Sequence, residues 1–366
     1  MRAHEPDSCA WDGRNQSMQP VQVSTPVAGD VGRNRLARRI LNNALASIIE
    51  PVRPHFDSVL RHLDSILTAE VPTVDAVSRY VAATKGKCIR PALVLLAARC
   101  VGTITHEVRL AAVSMELLQA STLLHDDVID QSVLRRGVPS VNARWDNETA
   151  VLMGDILFTQ ALSTMLETGS IPVMKIAALQ TRRMIEGEVH ARDQRRSPVF
   201  SEESYLDLIN RKTASLMSLA TEGGARLSDG TEQQVSALAS YGELLGMAFQ
   251  IVDDILDVVG DPTVVGKPTG QDLREGTITL PLIRALNAAP HEDAQKIREL
   301  VSLGVNTDAD WNAVHAFIEL YGGVASALRT ARHYAEQARA HLGSLPPSDA
   351  RDSLDRMVGY VISREI

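Results

Sequence analysis

The chain has 366 residues and a formal net charge of −8 at pH 7, so it is long enough for one large or two ordinary domains with a substantial core. Apolar residues make up 45% and aromatic residues 4%, and alternating β-branched runs with hairpin turns are few, which favours an all-α fold. The acidic balance argues against nucleic acid as a partner, because binding to phosphate backbones requires a basic surface.

Residues 1–34 are polar and rich in turn-forming residues, without the apolar segment of a signal peptide, which predicts a disordered tail. No stretch of about 18 uninterrupted apolar residues is present, so we expect no transmembrane segment. Cys9, Cys88 and Cys100 form an odd, widely separated set without metal-ligand spacing, which fits a reducing cytoplasm. Cys88 and Cys100 are interpreted most simply as buried thiols.

From residue 35 onward, apolar residues recur with a period near 3.6 and no low-complexity linker divides the chain, so one helical domain is predicted over residues 35–366. A helix begins near Pro91, and the later helices are predicted over Glu107–Asp130, Ala150–Thr168 and residues 173–192, 202–224, 231–258 and 279–288. Loops are predicted at Arg135–Pro139 and at residues 260–270. Three or so shorter helices follow, the last after Ser348.

Two aspartate runs lie far apart in otherwise apolar sequence. They are Asp126, Asp127 and Asp130, and Asp253, Asp254 and Asp257. Residues three and four apart share a helix face, so each helix presents a cluster of carboxylates that is costly to desolvate unless a cation neutralises it. Carboxylate oxygens suit Mg²⁺, which keeps several waters and shares its other positions with substrate phosphates. Two facing clusters are therefore predicted to clamp a diphosphate.

A solvated acidic helix face is the alternative interpretation of either run alone. The sequence before each run favours the functional interpretation, because it is mostly apolar. Leu123 and Leu124 precede the first run, and Ile251 and Val252 precede the second. These segments read as core helices that carry acid at one end.

Four local patterns occur in one order along the chain. They are Gly86-Lys87-Cys88-Ile89-Arg90-Pro91, then His125 to Asp130 with Arg135-Arg136-Gly137, then Lys212-Thr213-Ala214, then Phe249 to Asp257 with Gly266-Lys267. Together they resemble the trans-isoprenyl diphosphate synthases, also called polyprenyl synthetases, over roughly residues 35–366. Class I terpene cyclases share the helical fold and one aspartate motif, but they lack the Lys and Arg set for a second diphosphate.

The resemblance implies an isoprenoid synthase fold, a helical bundle around a central active-site cavity, and Mg²⁺ as cofactor. Both aspartate runs match the metal-binding motifs of the family, and Asp257 matches the member on which the family depends least. The allylic diphosphate contacts correspond to Arg135, Lys212 and Lys267. The isopentenyl diphosphate contacts correspond to Lys87, Arg90 and Arg136, with Gln119 where the family usually has His. Thr213 and Gln250 match polar residues near the reacting carbons.

In such an enzyme Mg²⁺ withdraws electron density from the allylic diphosphate, the C–O bond ionises, and the double bond of isopentenyl diphosphate attacks the carbocation. A proton is then lost to the departing pyrophosphate, so no protein general base is required. An apolar helical cavity protects the cation from water.

Each residue singled out also has a structural interpretation. Without the motif context, the six basic residues would read as ordinary surface cations. Gln119 and Gln250 could be satisfied core amides. His125 reads as a hydrogen-bonded structural neighbour rather than a ligand, because Mg²⁺ prefers oxygen.

Product length depends on the helix face one turn before Asp126. Ser121 and Thr122 are predicted to form the cavity floor, and both are small, whereas family members with bulky aromatic residues there resemble farnesyl or geranylgeranyl producers. The small floor favours a medium- or long-chain all-trans product, although Leu118 and neighbouring helices could close the cavity. A geranylgeranyl diphosphate synthase is the alternative.

Three departures from the family pattern stand out. Lys85 and Cys88 stand where the first of the four patterns usually has a glycine and an arginine. A Gly-Glu-x-x-Gln pattern that begins at Gly187 has Ala191 in place of its glutamine. A non-catalytic subunit of a heteromeric synthase is therefore a second alternative, although such subunits usually lose aspartates. A helical lipid-binding protein without chemistry would leave the six acids and their cations unexplained.

The resemblance further implies the two diphosphate substrates as partners and a homodimer that pairs through helices. Long products seek membranes, so peripheral membrane contact during product release is expected.

Overall fold

The computed structural model describes residues 44–67, 69–84, 86–259 and 269–363. The predicted tail and Lys267 lie outside these ranges, as does most of the predicted loop at 260–270. The described residues are helical apart from one two-stranded hairpin, which confirms the all-α prediction.

The N-terminal half leads to the first aspartate run. A 3₁₀ turn at Glu50–Val52 is followed by α1 (Arg53–Ile66), α2 (Pro72–Ala83), α3 (Ile89–Val101) and α4 (His106–Ile129). Helix α4 begins where Thr105 accepts a hydrogen bond from the backbone N–H of Val108, and its bounds agree with the predicted helix within one residue. The prediction of a helix near Pro91 is likewise confirmed, since α3 holds that proline in its first turn.

The segment after α4 corrects the loop prediction. Residues Leu134–Arg135 (β1) and Val138–Pro139 (β2) pair antiparallel, with Leu134 opposite Pro139. The two turn residues, Arg136 and Gly137, both have positive φ, as a tight type I′ hairpin requires. The sequence carries too few residues on either side for an alternating pattern, so only the turn could be anticipated.

The chain then returns to helices. They are α5 (Val141–Arg144), α6 (Asn147–Leu166), α7 (Ile171–Arg196), α8 (Glu202–Ile209), α9 (Ser215–Arg226) and α10 (Glu232–Val259). Helices α6, α7 and α10 confirm their predictions. The helix predicted over residues 202–224 is instead interrupted by a π-helical turn, Asn210–Ala214, between α8 and α9. Such turns break the 3.6-residue period locally and are common at functional sites.

The C-terminal part consists of α11 (Gln271–Arg274), α12 (Leu280–Ala288), α13 (His291–Leu303), α14 (Asp308–Leu320), α15 (Gly323–Leu342) and α16 (Asp349–Ile362). The predicted start of the last helix after Ser348 is confirmed, since Ser348 caps α16 by accepting a hydrogen bond from the Arg351 N–H.

Helices α4 and α6 lie close together along most of their length. Ser114 Oγ donates to the Ala161 carbonyl at 2.7 Å, and Ser121 Oγ donates to the Gly154 carbonyl at 2.8 Å. A Cβ at Gly154 would overlap the His125 ring, so this position requires glycine for the close approach. His125 Nε2 also lies 3.2 Å from the Val151 carbonyl, which confirms its interpretation as a structural neighbour.

Helix α10 connects the two apolar cores. Its first half contributes buried side chains to the core shared with α3, α4 and α9, and its second half to the core shared with α12 and α14, while α15 contributes to both. Tyr241 is fully buried in the first half, and its hydroxyl donates to the Leu354 carbonyl of α16 at 2.8 Å. The aspartate run at the C-terminal end of α10 is therefore held by a helix anchored on both sides.

Within the part of the chain that the structure describes, two helices, α6 and α10, are long and apolar enough to cross a membrane by length and composition alone. Helix α10 is mostly inside the protein, as expected for a core helix, and α6 packs one face on α4.

Tyr241→Phe is expected to lower the free energy of unfolding by about 1–2 kcal/mol, because it leaves the buried Leu354 carbonyl without its donor. Urea unfolding followed by circular dichroism measures this. Tyr321→Phe serves as the control, since the Tyr321 hydroxyl donates to Asp293 at a partly exposed position and its loss should cost less. Equal losses for the two variants would contradict the anchoring role of Tyr241.

Candidate active site

The first aspartate cluster lies at the C-terminal end of α4, where its three carboxylates diverge. Asp127 is buried and accepts hydrogen bonds on Oδ1 from Arg135 of the hairpin, including one from Nε at 2.9 Å. Asp130 Oδ1 accepts from Nη1 of Arg195 at 2.5 Å, a partner on α7. Asp126 lies close enough to Lys212 and Glu188 for their charges to shift its pKa. Each aspartate therefore has a cation on a different neighbouring element.

Burial dominates the electrostatics of this cluster. Desolvation raises the pKa of Asp126 to about 7, an effect that Lys212 opposes and that Glu188 and Asp130 reinforce. The pKa of Asp127 is also raised by desolvation, although its bonds with Arg135 counteract the shift. An acid held in this way is costly to ionise, and a further cation would relieve that cost.

The π-helical turn carries Lys212 and Thr213 into the site. It packs directly on α7 at Gly187, where an added Cβ would come within 2.9 Å of Arg211 Cβ and 3.0 Å of the Lys212 backbone nitrogen. Next to this glycine, Glu188 Oε2 lies 2.5 Å from Lys212 Nζ. Desolvation would lower the pKa of Lys212, but the carboxylates of Glu188 and Asp126 raise it overall, so the ammonium stays charged.

The second aspartate cluster, on α10, is held mainly by hydrogen bonds. Asp254 is buried and accepts from the Tyr205 hydroxyl at 2.6 Å and from Gln250 Nε2 at 2.8 Å. Thr213 Oγ1 in turn donates to Gln250 Oε1 at 2.7 Å. Desolvation raises the pKa of Asp254 to about 7 despite these donors. The chain of hydrogen bonds links the π-helical turn to the second cluster.

The other two members of the second cluster face different groups. Asp253 lies near enough to Arg90 to raise the pKa of that guanidinium, opposing the effect of burial. Asp257 is buried, and its Oδ2 accepts the backbone N–H of Asp272 at 3.0 Å, at the start of α11. Asp257 thus supports α11, and the metal role predicted for it stays a prediction.

The predicted isopentenyl diphosphate residues gather around the loop before α3. Burial lowers the pKa of Arg90, and its Nε is buried without a hydrogen bond to any described residue, as expected of a donor awaiting an anion. Lys87 Nζ lies 5.4 Å from the centre of the Tyr360 ring. Arg136 reaches over from the hairpin, and its Nη1 donates to the Thr84 carbonyl at 2.7 Å.

Gln119, Arg135 and Arg136 line one apolar cleft between α1, α2, α4 and the hairpin, together with Leu63 and Leu117. The cleft places two guanidinium groups and an amide beside an apolar wall. Such a combination suits a small molecule with an anionic head and a short hydrocarbon group.

The three predicted chain-length residues lie elsewhere on α4. Ser121 is buried against α6 through its bond to Gly154, Thr122 Oγ1 bonds the Gln119 carbonyl at 3.0 Å, and Leu118 is buried. None of the three lines the cleft beside Gln119. Their role in product length stays a prediction.

Two sequence departures have clear local consequences. Cys88 is buried, has positive φ and places Sγ 3.4 Å from Glu116 Oε1. The position at which the family pattern has arginine therefore faces an acid in this chain. Cys100 is a buried thiol, and burial raises its pKa to about 12. Both observations confirm that these cysteines are buried thiols.

Among the described residues, no three His, Cys, Asp or Glu side chains converge on one point as a preformed metal cage. The donor set nevertheless fits a hard divalent cation that is held by one or two carboxylates and by ligand oxygens. Asp126, which is partly buried, and Asp254, which is buried, are acids whose desolvation is not fully compensated by their neighbours.

The structure also brings in residues that the motifs did not single out for a role. Glu188, Arg195 and Tyr205 each contact a predicted site residue directly. The spacing of Glu188 and Arg195, seven residues apart and so on one face of α7, is a signal that could have been read from the sequence. Tyr205 carries no such signal, because its partner lies 49 residues away.

Comparison with known proteins agrees with this geometry. A model of the polyprenyl synthetase family matches residues 71–318. The chain is 35% identical to an all-trans-nonaprenyl-diphosphate synthase (geranyl-diphosphate specific) of Rhodobacter capsulatus, over 87% of this chain and 97% of the relative. It is 34% identical to a short chain isoprenyl diphosphate synthase of Methanothermobacter thermautotrophicus, covering 84% and 95%, and 34% identical to an octaprenyl diphosphate synthase of Haemophilus influenzae, covering 85% and 94%.

Among solved structures, the polyprenyl synthase of Caulobacter crescentus complexed with calcium and isoprenyl diphosphate superposes with a TM-score of 0.83 at 33% identity, over 88% of this chain and 98% of that one. The chain is therefore a prenyltransferase that belongs to the polyprenyl synthetase family.

Proposed function

We propose that the protein condenses isopentenyl diphosphate with an allylic diphosphate, head to tail, to give a medium- or long-chain all-trans polyprenyl diphosphate. The observation that carries this proposal is that both aspartate clusters are complete and adjoin one turn, through Lys212 beside Asp126 and Thr213 bonded to Gln250. A catalytically silent subunit would have no need for two buried acid clusters that are costly to ionise.

The predicted site residues have distinct tasks in this reaction. Asp126, Asp127, Asp130, Asp253 and Asp254 are proposed to hold Mg²⁺, and Asp257 to contribute less because it supports α11. Bound Mg²⁺ supplies a Lewis acid that stabilises the negative charge developing on the diphosphate leaving group. Lys212, Arg135 and Lys267 bind the allylic diphosphate and add positive charge at the same place.

Lys87, Arg90, Arg136 and Gln119 hold the isopentenyl diphosphate, with its hydrocarbon group against the apolar cleft. The allylic C–O bond breaks, a new C–C bond forms to the isopentenyl double bond, and the proton lost from that unit goes to the departing pyrophosphate. The hydroxyl of Thr213 and the carbonyl of Gln250 steady positive charge through their dipoles, and apolar side chains exclude water from the cation.

Three observations support a long product. Ser121 and Thr122 are small, the nonaprenyl and octaprenyl relatives are similar over most of the chain, and the first aspartate run has no insertion between its second and third acids. A geranylgeranyl diphosphate synthase remains the alternative, and the short-chain relative is what favours it.

The protein is proposed to act as a cytoplasmic homodimer with peripheral membrane contact during product release. Helices α6 and α7 expose large apolar side chains, among them Leu152, Leu162, Leu179 and Ile185. A second copy of the chain would cover such a face, and the mass of the protein in solution, measured by light scattering, tests this proposal.

Purified protein with Mg²⁺, labelled isopentenyl diphosphate and farnesyl or geranylgeranyl diphosphate is expected to give products beyond twenty carbons. Asp126→Ala and Asp253→Ala should each lower the rate on the order of 100-fold or more. Each removes a proposed ligand of the Mg²⁺ that stabilises the charge developing on the leaving group. Asp57→Ala, an exposed acid on α1, is the control and should retain activity. No product from any allylic starter with folded protein would instead support the silent-subunit alternative.

Ser121→Phe is expected to shorten the main product by at least one isoprene unit, because the added ring fills the proposed floor below Asp126. Ser121→Ala is the matched control, since it removes the hydrogen bond to Gly154 without adding bulk and should leave product length unchanged. Chromatography of the dephosphorylated products compares them. An unchanged product from the phenylalanine variant would remove Ser121 from the floor.

The raised pKa of Asp126 predicts opposite pH effects on folding and on metal binding. Its pKa of about 7 in the folded protein exceeds the ordinary value of 3.8, so the acid destabilises the metal-free fold progressively as pH rises from about 4 through 7. Asp126→Asn should therefore be more stable than the original protein at pH 8 and lose this advantage near pH 4. Because Mg²⁺ binds the ionised acid, its stabilising effect should weaken below pH 7. Thermal unfolding at several pH values measures both, and an advantage that does not vary with pH would contradict the assignment.

A further inference from the structure

Arg195 is a partly buried cation that neither the sequence motifs nor the proposed mechanism uses. Its side chain is 18% exposed, its Nη1 lies 2.5 Å from Asp130 Oδ1, and its Nη2 lies 3.7 Å from Glu188 Oε1. A guanidinium keeps its charge under all ordinary conditions, so Asp130 faces a permanent positive partner.

The geometry of α7 explains how the side chain reaches both acids. Glu188 and Arg195 are separated by seven residues, about 10.5 Å along the helix axis, and long helical side chains lean towards the N-terminus. The Arg195 side chain therefore extends back along the face that carries Ala191, the residue that stands where the family pattern has glutamine. Ala191 is buried and ends at Cβ, which leaves that face open to the arginine.

Charge at the first cluster is nearly balanced as a result. Asp126, Asp127, Asp130 and Glu188 are opposed by Arg135, Lys212 and Arg195. Without Arg195 the excess of carboxylates would double from one to two. The attraction of this cluster for a divalent cation would rise, since charges at a few ångströms in a partly desolvated site interact strongly.

We propose that Arg195 is a positioning residue that holds Asp130 while no divalent cation is bound and competes with Mg²⁺ for this carboxylate, thereby setting the Mg²⁺ concentration that the enzyme requires. The inference rests on the proposed function only in assigning Asp130 to the metal. Because Arg195 competes for Asp130, the enzyme would require a higher Mg²⁺ concentration than its two aspartate runs alone would imply.

The test compares Arg195→Met with Arg192→Met, a matched change at an exposed arginine on the same helix. Thermal unfolding is followed while Mg²⁺ alone is added to the substrate-free protein, and product formation is measured over the same Mg²⁺ range. Arg195→Met is expected to unfold at a lower temperature without metal and to reach half of its Mg²⁺ stabilisation at a concentration about threefold to tenfold lower. Arg192→Met should behave as the original protein.

Two further variants attribute the effect to Asp130. In an Asp130→Asn background, replacing Arg195 should change the Mg²⁺ midpoint much less, because the shared carboxylate is gone and only the weaker interaction with Glu188 remains. The double variant Arg195→Met with Ala191→Gln places the glutamine of the family pattern at position 191. It should keep the lower Mg²⁺ midpoint of Arg195→Met. If Arg195→Met does not fold, Arg195→Lys, a shorter cation without the planar fork, should give a smaller decrease in the midpoint.

A midpoint that is unchanged or raised in folded Arg195→Met or Arg195→Lys, or a decrease that keeps its full size in the Asp130→Asn background, would overturn the inference. The unfolding measurement needs no substrate, so it reports on Arg195 even if no allylic starter gives product. Product from the original protein together with an unchanged midpoint would reject the role of Arg195 and leave the proposed function standing.

Discussion

The cost of keeping carboxylates inside a helical bundle governs the organisation of this protein. Asp126, Asp127 and Asp254 lie on apolar helices, and burial raises the pKa of all three. The fold supplies a separate partner for each, drawn from the hairpin, the π-helical turn and α8. The hairpin presents Arg135, the π-helical turn presents Lys212 and the short helix α8 presents Tyr205 to the acids. The site is therefore maintained by its supports as much as by its motifs.

The two aspartate clusters offset the cost of burying carboxylates in different ways. Cations face the first cluster, at Asp127 and Asp130 most directly, whereas a hydroxyl, an amide and a backbone N–H face Asp254 and Asp257 in the second. Fixed cations compete with a metal ion for the carboxylate, but neutral dipoles can remain in place beside one. The same Asp-Asp-x-x-Asp spacing thus produces two clusters with different electrostatics, and Arg195, the residue proposed to compete with a metal ion, lies at the first.

Most of the fold could be predicted from the period of apolar residues, because α4, α6, α7 and α10 are long and bury a regular stripe or a whole circumference. The π-helical turn could not be predicted, since Asn210–Ala214 lies within a continuous helical pattern of apolar residues. Its close packing on Gly187 is seen only in the folded structure. Motif spacing found the aspartates and most of their cations. It could not show that Asp257 turns towards α11 or that Tyr205 and Arg195 complete the clusters, because those contacts depend on tertiary packing between distant segments.

Position within the motif predicts burial better than it predicts role. The second member of each run, Asp127 or Asp254, is buried and locked by hydrogen bonds from another element. The first member, Asp126 or Asp253, is less buried and faces a cation, Lys212 or Arg90, that the reaction would also use. In the proposed function, the locked members would hold their helices in place and share in binding the metal ion, while the first members would exchange a protein cation for it. Each motif therefore combines an acid that is fixed by hydrogen bonds from another element with an acid that faces a cation of the site.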